Sequence, residues 1–109
     1  MKILFLLLTV AALDLEGCAA THYYERQSDR VTFYLKAPGA QGVKFASSLD
    51  AYSPRLASKA DDSRWVVSMA AGSEFRYFYI VDGAVYVPEC QLYEKDDFGS
   101  RNCVYVPEK

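Results

Sequence analysis

Residues 74–83 read Glu-Phe-Arg-Tyr-Phe-Tyr-Ile-Val-Asp-Gly, and no other stretch of the chain narrows its fold so far. Phe75, Tyr77, Tyr79 and Val81 alternate with Arg76, Phe78 and Ile80. A period of two puts the first set on one face of a strand, whereas a helix would scatter it. Asp82-Gly83 then supplies the positive φ angles of a tight hairpin. Residues 84–87 return and Pro88 ends the run. The same alternation recurs at Val31, Phe33 and Leu35, at Val43 and Phe45, and at Trp65, Val67 and Met69. Residues 102–106 close the pattern. Ala37-Pro38-Gly39-Ala40 and residues 70–73 read as turns, residues 47–62 as a loop, and residues 88–100 as a long connection. No helical period is sustained beyond residue 20. Short strands at roughly ten-residue spacing predict an all-β fold, an immunoglobulin-like antiparallel β-sandwich of six to eight strands. Phe75, Tyr77, Tyr79 and Trp65 form its expected inward row.

The chain has 109 residues, enough for one domain with a modest core and no deep cleft. Aromatic residues make up 15% and charged residues 24%, the balance of a folded domain rather than a disordered tail. The net charge is −2 and no basic run exists, which excludes nucleic acid as an expected partner.

The front end reads as a targeting segment. Lys2 precedes an apolar run over residues 3–13, too short to span a bilayer. Leu15-Glu16-Gly17-Cys18 resembles a bacterial lipobox, in which Cys18 is lipidated and becomes the first mature residue. The competing reading is ordinary cleavage after Ala20, with Cys18-Ala19-Ala20 as the small-residue site and a secreted or periplasmic product. Either way residues 1–20 form a signal peptide, residues 21–29 a polar tether and residues 30–109 the exported domain. A lipid on Cys18 is then the expected membrane attachment. Cys90 and Cys103 remain as an even pair. An oxidising compartment favours their disulfide, and closing a loop of about 14 residues contributes roughly 3 kcal/mol on the chain-entropy model. Two buried free thiols are the alternative. Zinc is not expected: the one His, His22, is distant in sequence and no CxxC pair exists.

Catalytic sets are not apparent. His22 has no sequence partner for a nucleophilic triad. Asp61-Asp62 and Asp96-Asp97 sit in polar loops, where two solvated carboxylates lack the split environments a glycosidase needs. Gly99 belongs to no phosphate-binding loop. The expectation is a non-enzyme without cofactor or metal, whose aromatic residues bind. Sugar rings present flat C–H faces to aromatic side chains and hydroxyls to fixed polar groups. A docked protein uses the same exposed aromatics.

Residues 30–106 resemble the glycogen-binding type of carbohydrate-binding module. Such modules occur in the β subunit of AMP-activated kinase and at the front of branching and debranching enzymes. Val31 to Pro38 fits the family's first strand, Trp65 its middle-strand core aromatic, and Val81-Asp82-Gly83 and Phe98-Gly99 with Asn102 its later turns. The resemblance implies an early-set immunoglobulin-like sandwich with a shallow α-glucan site. It implies Tyr52 at the position of a stacking Trp, in the stretch Ser47-Ser48-Leu49-Asp50-Ala51-Tyr52. Phe78 replaces the sugar-contacting Lys, and Val85 replaces the second stacking Trp, with Tyr86 beside it. The implied ligand-binding residues are Tyr52, Phe78, Phe98 and Asn102. The expected role is a carbohydrate-binding module on an envelope lipoprotein, its partner a polysaccharide or oligosaccharide. The alternative is a protein–protein interaction module of the same fold, partnered by an envelope protein.

Overall fold

The computed structural model describes residues 21–107. Residues 1–20, where the expected signal peptide and Cys18 fall, lie outside the described residues. Ten strands are described: β1 (His22–Gln27), β2 (Arg30–Lys36), β3 (Val43–Ser47), β4 (Arg55–Leu56), β5 (Ser58–Lys59), β6 (Arg64–Ala70), β7 (Phe75–Val81), β8 (Ala84–Tyr86), β9 (Tyr93–Lys95) and β10 (Arg101–Tyr105). They form two antiparallel sheets, one in the order β1-β2-β6-β5. The other runs β4-β3-β7-β10-β9, with β8 also paired to β7. Read as A-B-E-D against C′-C-F-G, with β9 added outside G and β8 beside F, this is the immunoglobulin strand order. The only helical element among the described residues is a single 3-10 turn at Ser48–Asp50.

The alternating residues face inward. Val31, Phe33 and Leu35 from one sheet meet Phe45, Phe75, Tyr77 and Tyr79 from the other, all buried, with Trp65 and Met69 beside them. Phe33 is the hub. Its ring lies 4.8 Å from Tyr77, 5.2 Å from Phe45 and 5.9 Å from both Phe75 and Tyr105. Such tilted and edge-to-face pairs each add about 0.5–1.5 kcal/mol beyond area burial. Asp82 carries φ 49° and Gly83 φ 85°, the two left-handed residues of a mirror-image hairpin turn. The Asp82 carboxylate also accepts hydrogen bonds from the Gln41 and Gly42 N–H groups at 2.8 and 2.9 Å, tying that turn to the start of β3.

Three expectations are corrected. Residues 21–29 are not a tether: β1 pairs with β2 along its whole length, from His22 opposite Leu35 to Gln27 opposite Arg30. Both faces of β1 are held. Outward, Tyr23 stacks on Tyr34 at 4.8 Å and accepts a 2.7 Å hydrogen bond from Arg64. Inward, His22 and Tyr24 pack on Phe33. The sandwich therefore begins at residue 22 rather than 30. The loop over residues 47–62 contains two short edge strands, β4 and β5, and the connection over residues 88–100 contains β9. The added pieces raise the count from six to eight strands to ten.

The connection is fastened to the sheet. Cys90 and Cys103 sit at disulfide distance with Cα atoms 5.8 Å apart. Arg76 makes a paired hydrogen bond to both Glu94 oxygens at 2.7 Å. Arg101 lies over the Tyr93 ring at 4.1 Å. The Tyr93 hydroxyl accepts from the Cys90 N–H and donates to the Pro88 carbonyl.

Candidate functional site

Strand β7 changes partner half-way along one edge. Phe75–Tyr77 pair with β10, and Tyr79–Val81 pair with β8. Phe78 falls at the break. Its side chain points to the outer face, because Tyr77 and Tyr79 point in. A shallow groove of about 620 Å³ opens there, with Phe78, Val85 and Val87 on one side and Ser100, Arg101 and Asn102 on the other.

Tyr52 flanks this groove through Phe78. The two rings stack at 5.6 Å with their planes 15° apart. Tyr52 gets there by an unusual backbone: Ala51 and Tyr52 both carry positive φ, 60° and 64°, directly after the 3-10 turn. Ser47 caps that turn, its hydroxyl accepting from the Leu49 N–H, and its carbonyl accepts from the Tyr52 N–H at 2.8 Å. Asp50 pairs with Arg55 through one oxygen, while the other is buried without a hydrogen-bond partner among the described residues.

Of the four ligand-binding residues expected from sequence, the structure thus brings three together: Tyr52 against Phe78, and Phe78 and Asn102 in one groove. Phe98 stands apart. Asp96 accepts hydrogen bonds from the Phe98 and Ser100 N–H groups, building a turn with Phe98 at its tip and 93% exposed. Asn102 pairs with Glu94 across β9 and β10 and holds an outward position on the sheet.

A second concavity of about 540 Å³ lies where β1 of one sheet approaches β10 and the connection of the other. His22, Tyr24 and Tyr77 form its inner wall, Glu89, Leu92 and Pro107 part of its mouth. His22 is the element that sequence reading passed over. Its Nε2 lies 3.1 Å from the Tyr79 hydroxyl and its Nδ1 3.9 Å from the Cys90 sulfur. Burial drives its pKa from 6.5 to about 4, partly offset by a hydrogen bond to the Glu89 backbone, so the ring is neutral at physiological pH. Burial likewise raises the Tyr77 and Tyr79 hydroxyls well above the ordinary phenol range. The signal in the sequence was the period-two pair His22 and Tyr24, masked by the charged residues that follow. Among the described residues no group of three or more His, Cys, Asp or Glu side chains is placed to hold a metal ion, and no helix is long and apolar enough to cross a membrane.

No protein-family model matches the chain, and no curated protein matches it in sequence.

Proposed function

We propose that this protein is a non-catalytic carbohydrate-binding module, carried on an exported envelope lipoprotein through Cys18, and that it takes an α-glucan or related oligosaccharide along the groove at Phe78. The observation that carries this reading is the stacked Tyr52–Phe78 pair beside a groove edged by Asn102 and Ser100. An aromatic platform next to fixed hydrogen-bonding groups is what a sugar ring requires. The groove is open and shallow, so binding is weak per site and led by stacking.

The test is retention of the soluble domain, from residue 21 onward, on insoluble starch or glycogen. Retention that soluble maltooligosaccharide competes away is expected. Tyr52→Ala is expected to abolish it, because losing one stacking ring costs on the order of 1 kcal/mol or more, most of the affinity of a weak binder. The melting temperature changes little, since Tyr52 sits outside the core.

A second reading keeps the fold and replaces the ligand by an envelope protein. It is favoured by apolar side chains that a sugar would leave in water: Leu56 at 78% exposed, Val85 at 68% and Phe98 at 93%. Clean flow-through on glucan, together with an envelope protein whose binding is lost on Val85→Asp, establishes this reading instead. Anchoring is tested separately: Cys18→Ser is expected to release the protein from membranes. A variant that stays membrane-bound, with mature protein cleaved after Ala20, replaces the lipoprotein by a secreted product.

A further inference from the structure

The concavity at the open edge of the sandwich shares no lining residue with the groove at Phe78. Its volume, about 540 Å³, is that of a small-molecule site. Three properties describe what it can hold. Its inner wall is aromatic, made by Tyr24, Tyr77 and the His22 ring, which lies 5.8 Å from Tyr77. Its charge is one-sided: Glu89 lines it, and among the described residues no Lys or Arg does. A buried polar atom in its wall, the Tyr77 hydroxyl, is poorly matched. Tyr77 is 1% exposed, and among the described residues the one hydrogen-bond partner its hydroxyl has is the Cys90 sulfur, 3.8 Å away. Sulfur is a weak hydrogen-bond partner, so a buried phenol oxygen retains acceptor capacity toward the cavity.

An anion finds no donor of opposite charge among the described lining residues and meets Glu89. A purely apolar body leaves the Tyr77 oxygen unmatched. A protonated amine satisfies all three properties: its N–H groups donate to the Tyr77 oxygen, its charge faces the aromatic rings and Glu89, and its carbon body packs on Leu92 and Pro107. We propose that this pocket is a binding site for a small organic ammonium ion, lined by Tyr24, Tyr77 and His22 with Glu89 at its mouth. His22 stays neutral down to about pH 4 and adds no opposing charge above it.

An isosteric series tests the assignment at fixed shape. Tert-butylammonium, tert-butanol and pivalate carry the same apolar body with positive, zero and negative charge. They are titrated into the oxidised domain while the backbone amides of Tyr24, Gln91 and Leu92 are followed by NMR. Saturable shifts with the cation, at least tenfold tighter than with tert-butanol, and none with pivalate, are expected. Tyr77→Phe keeps the ring and the packing and removes only the hydroxyl; affinity for the cation is expected to fall about tenfold or more, the size of a charge-assisted hydrogen bond. Glu89→Gln, at an exposed position, is expected to weaken it about two- to fivefold, an effect that vanishes in high salt. Equal affinity for tert-butanol and the cation, shifts with no probe, or unchanged affinity in Tyr77→Phe each overturns the proposal. Co-sedimentation with phosphatidylethanolamine vesicles, lost on Tyr77→Phe, would identify a lipid headgroup as the source of the cation. Binding of the free cation without co-sedimentation identifies a soluble amine.

Discussion

Ala51 and Tyr52 hold left-handed backbone conformations, which cost an L-residue roughly 1–2 kcal/mol each. The strain aims the Tyr52 ring at Phe78, and it is sustained by Ser47, which binds the turn from both its hydroxyl and its carbonyl. The two strained residues differ in what a substitution reads. Tyr52 uses its side chain, so replacing it mixes strain with stacking. Ala51 has only a methyl group, and Ala51→Gly isolates the backbone. Glycine adopts the left-handed region freely but loses more entropy on folding. The expected net is a stabilisation of about 0.5–1 kcal/mol, measured as a higher urea midpoint at unchanged slope, with glucan retention intact. A destabilised Ala51→Gly would mean that the turn is not strained. Nothing in the residues 47–52 announces this geometry: no Gly, Asn or Asp stands at either positive-φ position, and that is the usual clue. Tyr52 was found in the sequence by resemblance, its contact with Phe78 only in three dimensions.

Among the elements, those with strong two-residue alternation were legible and those built from polar edge residues were not. β2, β6 and β7 each bury three apolar or aromatic side chains on one face, and that periodicity is visible without a structure. β1 turns only a half-buried neutral histidine and a largely exposed Tyr24 toward the core, and its second half is Glu25, Arg26 and Gln27, so its pattern reads as polar chain. β4 and β5 have two residues each, too few for any period, and β9 is wholly exposed. The connection over residues 88–100 is held less by burial than by cross-links, and Cys90–Cys103 is chief among them. Cys103 is fully buried in β10 while Cys90 borders the concavity. On the chain-entropy model, closing this loop contributes roughly 3 kcal/mol. Reduction, or Cys90→Ser, is therefore expected to lower unfolding free energy by about 2–4 kcal/mol. β9 amides are expected to exchange faster than those of β2 and β6, because only the connection loses its fastening. A reduced domain of unchanged stability would indicate that Arg76–Glu94 and Tyr93 suffice.

The molecule as a whole is two sheets closed over an aromatic core, and the group packed against that core that titrates nearest neutral pH is His22. The ring packs on Phe33, Tyr77 and Tyr79, with the Tyr79 hydroxyl, the Cys90 sulfur and the Glu89 backbone around its nitrogens. No carboxylate side chain is hydrogen-bonded to it among the described residues, so protonation has no compensating charge. In the unfolded chain the ring titrates near 6.5, and in the fold near 4. Between those values the unfolded state binds the extra proton, so stability is complete above pH 6.5 and falls as pH drops toward 4. A gap of this size corresponds to up to about 3 kcal/mol. Two exposed carboxylates, Asp61, held below its ordinary range by the Ser63 backbone N–H and then by Arg64, and Glu94, held there by Arg76, add to acid sensitivity only at lower pH. Thermal unfolding across pH 7.5 to 4 is expected to show a falling midpoint that starts near 6.5. His22→Phe keeps the ring stack, removes the titration and leaves Tyr79 without its partner. Its midpoint is expected to be lower at neutral pH yet nearly flat down to about pH 4.5. A wild-type midpoint that stays level over that interval would place His22 in water, and with it would go the attachment of β1 to the core.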